Sequence, residues 1–130
     1  MTPDMLIKAA METIDGLAGQ VYPLQAIKNA VAPFVFYRQT EEDDAYALDG
    51  PASLMTASYE IHCVAQTYAG LVALSGAVRP ALQALQGTTH DDLLVERVAI
   101  RQASPDLKET DVNLYRRIYI LSINYQLGGK

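Results

Sequence analysis

The residues of this chain that most often serve in catalysis are a single cysteine and two histidines. His62 and Cys63 are adjacent in an alternating segment, and His90 is followed by Asp91 and Asp92. A Cys–His nucleophilic pair needs side chains that meet, but neighbours on a β-strand point to opposite faces of the sheet. We therefore interpret Cys63 as a core residue, His62 as a surface or interface residue, and the segment around His90 as a solvated loop.

The most acidic segment of the chain is a run of four carboxylates, Glu41, Glu42, Asp43 and Asp44. This run lacks the alternating Asp-x-Asp-x-Asp-Gly spacing that directs carboxylates toward a calcium ion. Charge runs usually repel one another and remain open, so we interpret it as a solvated or partner-facing segment. Arg116 and Arg117 do not predict a phosphate clamp, because consecutive residues of a strand face opposite ways.

Other motifs that bind cofactors or perform catalysis do not occur in the sequence. The eight glycines are scattered, without the spacing of a phosphate-binding loop, and there is no Gly-x-Ser-x-Gly motif. One cysteine allows neither an internal disulfide nor a Cys/His zinc site. We expect a protein that is not an enzyme, with no catalytic residues, no cofactor and no metal.

Length and composition predict one globular domain spanning residues 1–130, since half of the residues are hydrophobic. Ten basic residues stand against fifteen acidic residues, for a net charge of −5. A sequence-independent DNA binder needs a surplus of cations, so this class is not expected. The apolar runs are shorter than the ~20 residues of a membrane-spanning helix. The N-terminus lacks the pattern of a signal peptide, so we expect synthesis in a cytoplasm and no membrane partner.

The hydrophobic pattern alternates between helices and strands. Helical spacing predicts helices over residues 3 to about 18 and from Thr67 to Gly87, the second with a kink at Pro80. Strands are predicted at 33–37, 54–66, 93–103 and 114–127, with Val21 and Tyr22 as a short extended piece. The sequence therefore predicts an α+β fold, a largely antiparallel sheet with two helices packed on one face.

Between the first two long strands the sequence predicts a long inter-strand loop, from Arg38 to Ser53. It contains the acidic run and the turn residues Asp49-Gly50-Pro51. Several carboxylates cannot be buried unpaired, and structureless loops of this length are usually functional or disordered. We therefore predict a mobile partner-docking loop that lies outside the fold and uses five carboxylates, Glu41, Glu42, Asp43, Asp44 and Asp49.

The run from Ala57 to Ala69, followed by residues 77–82 with Arg79 and Leu82, resembles the phage tail completion family. These proteins are also called tail terminator or head-to-tail joining proteins. The order of elements is similar too, with an N-terminal helix, the pair Tyr22-Pro23, the strand from Pro33 and a last strand entered through Arg116-Arg117. Two positions depart from the family pattern: Gly70, where a capping glutamate is expected, and Pro80, where a helix former is usual.

The resemblance implies a structural protein of a tailed bacteriophage virion, located at the interface of head and tail. It implies a homo-oligomeric ring, usually of six subunits, that contacts the tail tube protein and the head–tail connector or stopper protein. DNA passes through such a ring without specific binding. Three alternatives stay open. They are a head-completion or stopper protein on the capsid side, a small ligand-binding or enzymatic α+β protein, and a metal-binding module built on the acidic run.

Overall fold

The structure is a computed structural model that describes residues 2–24, 31–47, 50–103, 105–109 and 113–126, without the side chains of 43–47 and 50–54. The described part contains two helices and seven strands. In chain order they are α1 (Pro3–Glu12), β1 (Val21–Pro23), β2 (Phe34–Ala47), β3 (Gly50–Ala65), α2 (Tyr68–Gln83), β4 (Thr89–His90), β5 (Leu93–Gln102), β6 (Leu107–Glu109) and β7 (Leu114–Gln126).

The strands form one mixed sheet in the order β1-β2-β3-β7-β5-β4, and β6 pairs with β7 beside β5. The pairing of β1 with β2 is parallel, and all other described pairings are antiparallel. Both helices pack on the same face of this sheet, where their apolar side chains join those of β3 and β7 in one core. The predicted α+β class, with two helices on one face of a largely antiparallel sheet, is confirmed.

Helix α1 begins as its sequence predicts but ends earlier. The hydroxyl of Thr2 accepts a hydrogen bond from the amide of Met5 at 3.3 Å, and Pro3 occupies the first turn. The helix ends at Glu12, where the hydroxyl of Thr13 donates to the carbonyl of Ala10 at 2.7 Å. Gly16 then takes a positive φ of 85°, which ends the helical path well before residue 18.

Helix α2 is capped by Thr67, whose hydroxyl accepts from the amide of Gly70 at 2.9 Å. A Cβ at residue 70 would lie 3.0 Å from this hydroxyl oxygen, so glycine leaves room for the cap. The helix continues through Pro80 to Gln83 and buries one stripe of its surface against the sheet. The buried stripe consists of Leu71, Leu74, Ser75, Val78 and Leu82.

The two central strands alternate as predicted. On β3, Tyr59, Ile61 and Cys63 are buried, and Tyr59 lies opposite Leu121 of β7. On β7, the buried positions are Tyr119, Leu121, Ile123 and Tyr125. Between these positions, Ser58 of β3 and Ser122 and Asn124 of β7 are partly exposed on the opposite face. His62 and Val64 of β3 lie on that face too but are buried. This second face, which no described helix covers, is called the outer face below.

The prediction of a loop from Arg38 to Ser53 is wrong for the described residues. Strand β2 continues to Ala47 and pairs with β3, with Glu41 opposite Ser58 and Glu42 opposite Ala57. Backbone hydrogen bonds to β3 therefore place the acidic run in the sheet, while its exposed carboxylates remain in water. Asp49 lies outside the described residues.

Part of the polar segment after Ser104 is the short strand β6. Leu107 lies opposite Arg116 of β7, so β6 continues the edge that β5 begins. None of the described helices is long and apolar enough to cross a membrane.

Candidate docking site

The exposed end of strand β2 is the site that the acidic run forms. Strand β1 covers the outer edge of β2 only at Val35–Tyr37, and the amide of Leu24 donates to the carbonyl of Tyr37 at 2.7 Å. Beyond Tyr37, no described strand pairs with this edge. The side chains from Arg38 to Glu42 are all exposed. We call the outer edge of β2 from Arg38 to Ala47 the acidic edge.

A β-bulge at Thr40 decides which carboxylate faces which side. The register shifts between Gln39 and Glu41, and the hydroxyl of Thr40 donates to the carbonyl of Ser58 at 3.2 Å. Glu41 then lies at the register of the outer face, opposite Ser58. Glu42 lies on the helix side, where its carboxylate accepts a hydrogen bond from the Tyr125 hydroxyl at 2.8 Å.

On the helix side, the acidic edge meets the N-terminus of α1. The hydroxyl of Tyr59 donates to the carboxylate of Asp4 in a short hydrogen bond. An open pocket of about 300 Å³ lies here, lined by Asp4, Glu42 and both tyrosines, Tyr59 and Tyr125. Burial and the hydrogen bond to Asp4 hold the pKa of Tyr59 well above its usual value, so this phenol remains a donor at neutral pH. Two carboxylates are thus positioned by buried phenols at the base of the acidic edge.

The outer face holds a second polar group of residues, centred on His62. The imidazole stacks on Phe36 with ring centroids 4.3 Å apart. Its Nε2 lies 3.0 Å from Oε1 of Glu60, and its Nδ1 lies 3.3 Å from Nη1 of Arg116. A guanidinium is only a donor, so Nδ1 accepts from Arg116 and the neutral ring donates from Nε2–H to Glu60. Both ring nitrogens are therefore satisfied by the neutral form of the histidine.

Burial and charge both disfavour the protonated form of His62. Burial is the largest cause that lowers its pKa, and Arg116 lowers it further against the opposing effect of Glu60. The hydrogen bond from His62 in turn lowers the pKa of Glu60. Ion pairs extend this group to both sides, from Arg38 to Glu60 at 2.8 Å and from Arg116 to Glu109. The polar group centred on His62 therefore joins strands β2, β3, β7 and β6.

The interpretation of His62 as a surface or interface histidine is wrong for this chain, since only 6% of the residue is exposed. Phe36 covers one side of the ring, and Arg116 lies over Phe36 at 5.5 Å. Alternation alone placed His62 correctly on the outer face. Phe36 and Arg116, which cover the ring, are distant from His62 in sequence. The local pattern around His62 therefore does not predict its burial.

Two other residues that could take part in catalysis or ligand binding, Cys63 and Arg117, lie on the opposite side of the sheet from His62. Cys63 is buried in the core on the opposite side of β3 from His62, and burial raises the pKa of its thiol to about 12. Arg117 is also on that side, where it binds both carboxylate oxygens of Asp106 at 2.7 and 2.8 Å. The hydrogen bond from Arg117 is the main cause that lowers the pKa of Asp106. As expected, Arg116 and Arg117 form no joint clamp.

Among the described residues, His90 and its acidic neighbours do not form a metal site with other side chains. The Nε2 atom of His90 lies 2.9 Å from the hydroxyl of Thr88, and Asp91 takes a positive φ of 57° in the turn before β5. No group of three or more His, Cys, Asp and Glu side chains in the described ranges is close enough to hold a metal ion.

A separate groove of about 520 Å³ lies between the end of α1 and α2. Its walls are mostly apolar and include Leu17, Pro33 and Leu74, and polar groups of Asp15 and Thr67 lie among them. A volume of this size is in the range of small-molecule pockets. The sequence offered no motif for this groove, because its walls come from three separate segments.

Comparison with solved structures finds similar chains. A chain in the solved structure of the virion of a native gene transfer agent particle is similar over 95% of this chain and 87% of that chain. The TM-score is 0.48 and the sequence identity is 17%. No protein-family profile matches the chain, and no curated protein matches it.

Proposed function

We propose that this chain is a structural protein of a tailed bacteriophage that closes the tail tube and joins it to the head connector. In this proposal it acts as a ring, with six subunits, in the virion. The ring contacts the tail tube protein on one side and the connector or stopper protein on the other. DNA passes through it without specific binding, and the chain has no enzymatic activity.

The observation that carries the proposal is the outer face of the sheet. Ile118 and Ile120 lie there on β7, partly exposed, next to polar side chains of β3 and β5. Antiparallel sheets tolerate one solvated face, but apolar residues in its centre favour cover by another subunit. A neighbouring copy is the simplest cover, and head-to-tail contacts between copies form a ring when the rotation from one copy to the next closes.

The sequence resemblance supports the same assignment. The segment from Ala57 to Ala69 that carries it is strand β3 with the capped start of α2, and Arg79 and Leu82 follow in that helix. Leu82 is fully buried, and Arg79 donates to the carbonyl of Ile100 at 3.1 Å. The matching residues thus have structural roles in the fold.

Assembly on tail-tube ends tests the proposal. The purified chain, mixed with isolated tail tubes, is expected to form rings on the tube ends, visible by negative-stain imaging and mass measurement. Ile120→Lys should remain folded, because residue 120 is partly exposed, but should lose assembly. Val72→Lys is the matched control, since Val72 is 45% exposed on α2. A wild-type chain that stays monomeric with tube ends present contradicts the ring.

A head-completion or stopper protein on the capsid side is the alternative within the same class. It predicts the same fold and the same acidic surface, so only position separates the two. Locating the subunit in an electron-microscopy map of a whole particle distinguishes them. Density for the subunit next to the head connector, with another ring between the subunit and the tail tube, would favour the stopper.

A small ligand-binding protein is the alternative of a different class, and the groove between α1 and α2 is the observation that favours it. Its 520 Å³ volume and mostly apolar walls suit a compact apolar ligand. Thermal-shift screening with small apolar compounds tests this function. Stabilisation of the wild type that is lost in Ala73→Phe, which fills the groove, would favour it over a purely structural role.

A further inference from the structure

We propose that the acidic edge is a strand-addition site, which binds an extended, lysine- or arginine-rich segment of a different protein chain. Strand addition is the way in which the acidic run would perform its docking role, so this inference rests on the proposed function. The partner would pair with the backbone of β2 and carry positively charged side chains.

The geometry of the edge supports strand addition. The acidic edge comprises ten residues, Arg38 to Ala47, which at about 3.4 Å per residue span roughly 30 Å. Within the described part of the chain this length pairs with β3 on one side only. An open edge of this kind presents a row of unpaired amides and carbonyls, and proteins use such edges to bind extended peptides.

The opposite edge of the sheet is protected. The side-chain oxygen of Gln86 accepts from the amide of Val98 at 3.0 Å, and Arg79 donates to the carbonyl of Ile100 at 3.1 Å. A strand can add to β5 only after these two side chains leave. Side chains from α2 and the turn after it therefore direct strand addition to β2.

The charges of the acidic edge select the partner. A strand laid against β2 places its side chains alternately on the two faces of the sheet. Glu41 lies at the register of the outer face and Glu42 lies on the helix side, so a carboxylate is present on each face. Asp43 and Asp44 follow in the strand and double the negative charge. Arg38 does not offset this charge, because it is paired with Glu60.

A second copy of this chain is a poor occupant. Pairing of two β2 edges brings the acidic runs of both chains close together, and like charges on neighbouring strands are destabilising. The β5 edge of a second copy is blocked by Gln86 and Arg79. Nucleic acid is repelled by the same carboxylates. A cationic strand from another protein satisfies both the backbone groups and the charge.

Peptide binding to the intact chain tests the inference. The probe is a fluorescent ten-residue peptide in which pairs of lysines alternate with pairs of threonines, so that lysines lie on both faces of the added strand, and anisotropy measures its affinity. We expect saturable binding that weakens with salt, together with slowed amide exchange along Arg38 to Ala47. A peptide with N-methyl groups on every backbone amide keeps its charge but cannot donate to β2 from either edge, and it should bind at least tenfold more weakly. Equal binding of both peptides would overturn strand addition.

Charge variants test the location of the site. Glu41→Lys with Glu42→Gln changes the charge by +3 and retains an acceptor for Tyr125, and it should weaken binding at least tenfold. Asp15→Lys with Asp92→Asn is the matched control, since both residues are exposed and neither belongs to the acidic edge. Equal losses in the two variants would contradict a site on the acidic edge. No peptide binding, combined with ring assembly on tail tubes, would overturn strand addition and leave the proposed function intact.

Discussion

At the scale of single residues, His62 has the environment that most directly links protonation to stability. The neutral ring satisfies Glu60 through Nε2–H and Arg116 through Nδ1. A second proton on Nδ1 would face the guanidinium of Arg116 and remove an acceptor from it. On the strands around it, Arg38 of β2 and Glu109 of β6 complete the charged groups. Protonation of His62 therefore opposes the folded structure.

The first prediction is a loss of stability on mild acidification. The pKa of folded His62 is below its usual 6.5, which the unfolded chain retains, so between the two values the unfolded state binds more protons. The free energy of unfolding should fall as the pH drops through 6.5 toward the folded value. Urea unfolding of wild type and His62→Gln at pH 7.5 and 5.5 measures it, and the variant should lose less stability than the wild type.

Two details make this measurement specific. His90→Gln removes the other histidine, and its comparison with wild type reports what that second imidazole contributes. The lowered pKa of Glu60 affects stability only at pH values below the usual 4.5 of this group, outside the range compared. Equal losses of stability in wild type and His62→Gln would show that His62 does not control the acid response.

At the scale of elements, strand β7 has one buried face and one partly exposed face. Leu121 and Ile123 are buried between the helices and the sheet, whereas Ser122 between them is partly exposed. Leu121→Ala should lower the free energy of unfolding by about 2–5 kcal/mol, from lost burial and a residual cavity. Ser122→Ala should change it by less than about 0.5 kcal/mol. Urea denaturation of both variants checks this, and equal losses would contradict the layer order.

Elements with strong hydrophobic periods were predictable from the sequence. The alternation around Tyr59 and around Leu121 gave the correct buried faces of β3 and β7, and the caps at Thr2 and Thr67 gave both helix starts. The end of α1 was predicted too late. Ile14 and Leu17 continue the apolar spacing, and both pack against the core from a turn rather than from a helix. The apolar spacing indicates which residues are buried, but a residue can be buried without lying in a helix.

The acidic part of β2 was not predictable, for a physical reason. Glutamate and aspartate disfavour strands in local preference, and four in a row are typical of a loop. Pairing with β3 supplies the backbone hydrogen bonds, and the outer edge leaves the exposed carboxylates in water. The charge of the acidic run therefore singled out these residues as a candidate site, but their conformation depended on a partner strand. The buried environment of His62 was missed for the same reason.

At the scale of the whole molecule, the described residues form one sheet face that the helices cover and a second face that no described helix covers. The helices bury one face of the sheet, the outer face carries Ile118 and Ile120, and the acidic edge extends the sheet at β2. Two exposed arginines, Arg97 and Arg101, lie at outer-face register on β5, at the other end of the same face. In the proposed ring, copies would contact one another through the outer face around Ile118 and Ile120, and the acidic edge would remain open for a cationic strand of another protein.

The same charge distribution leads to the last prediction, which concerns DNA. With ten basic and fifteen acidic residues, the chain as a whole repels phosphates, so a ring of such subunits lets DNA slide. Fluorescence anisotropy with two short duplexes of different sequence should detect no binding at about 150 mM salt, where the Debye length is about 8 Å. Weak binding at low salt would be assigned to Arg97 and Arg101 and should disappear in Arg97→Gln with Arg101→Gln. Tight binding that survives moderate salt, or that differs between the duplexes, would show that the chain holds DNA rather than letting it pass.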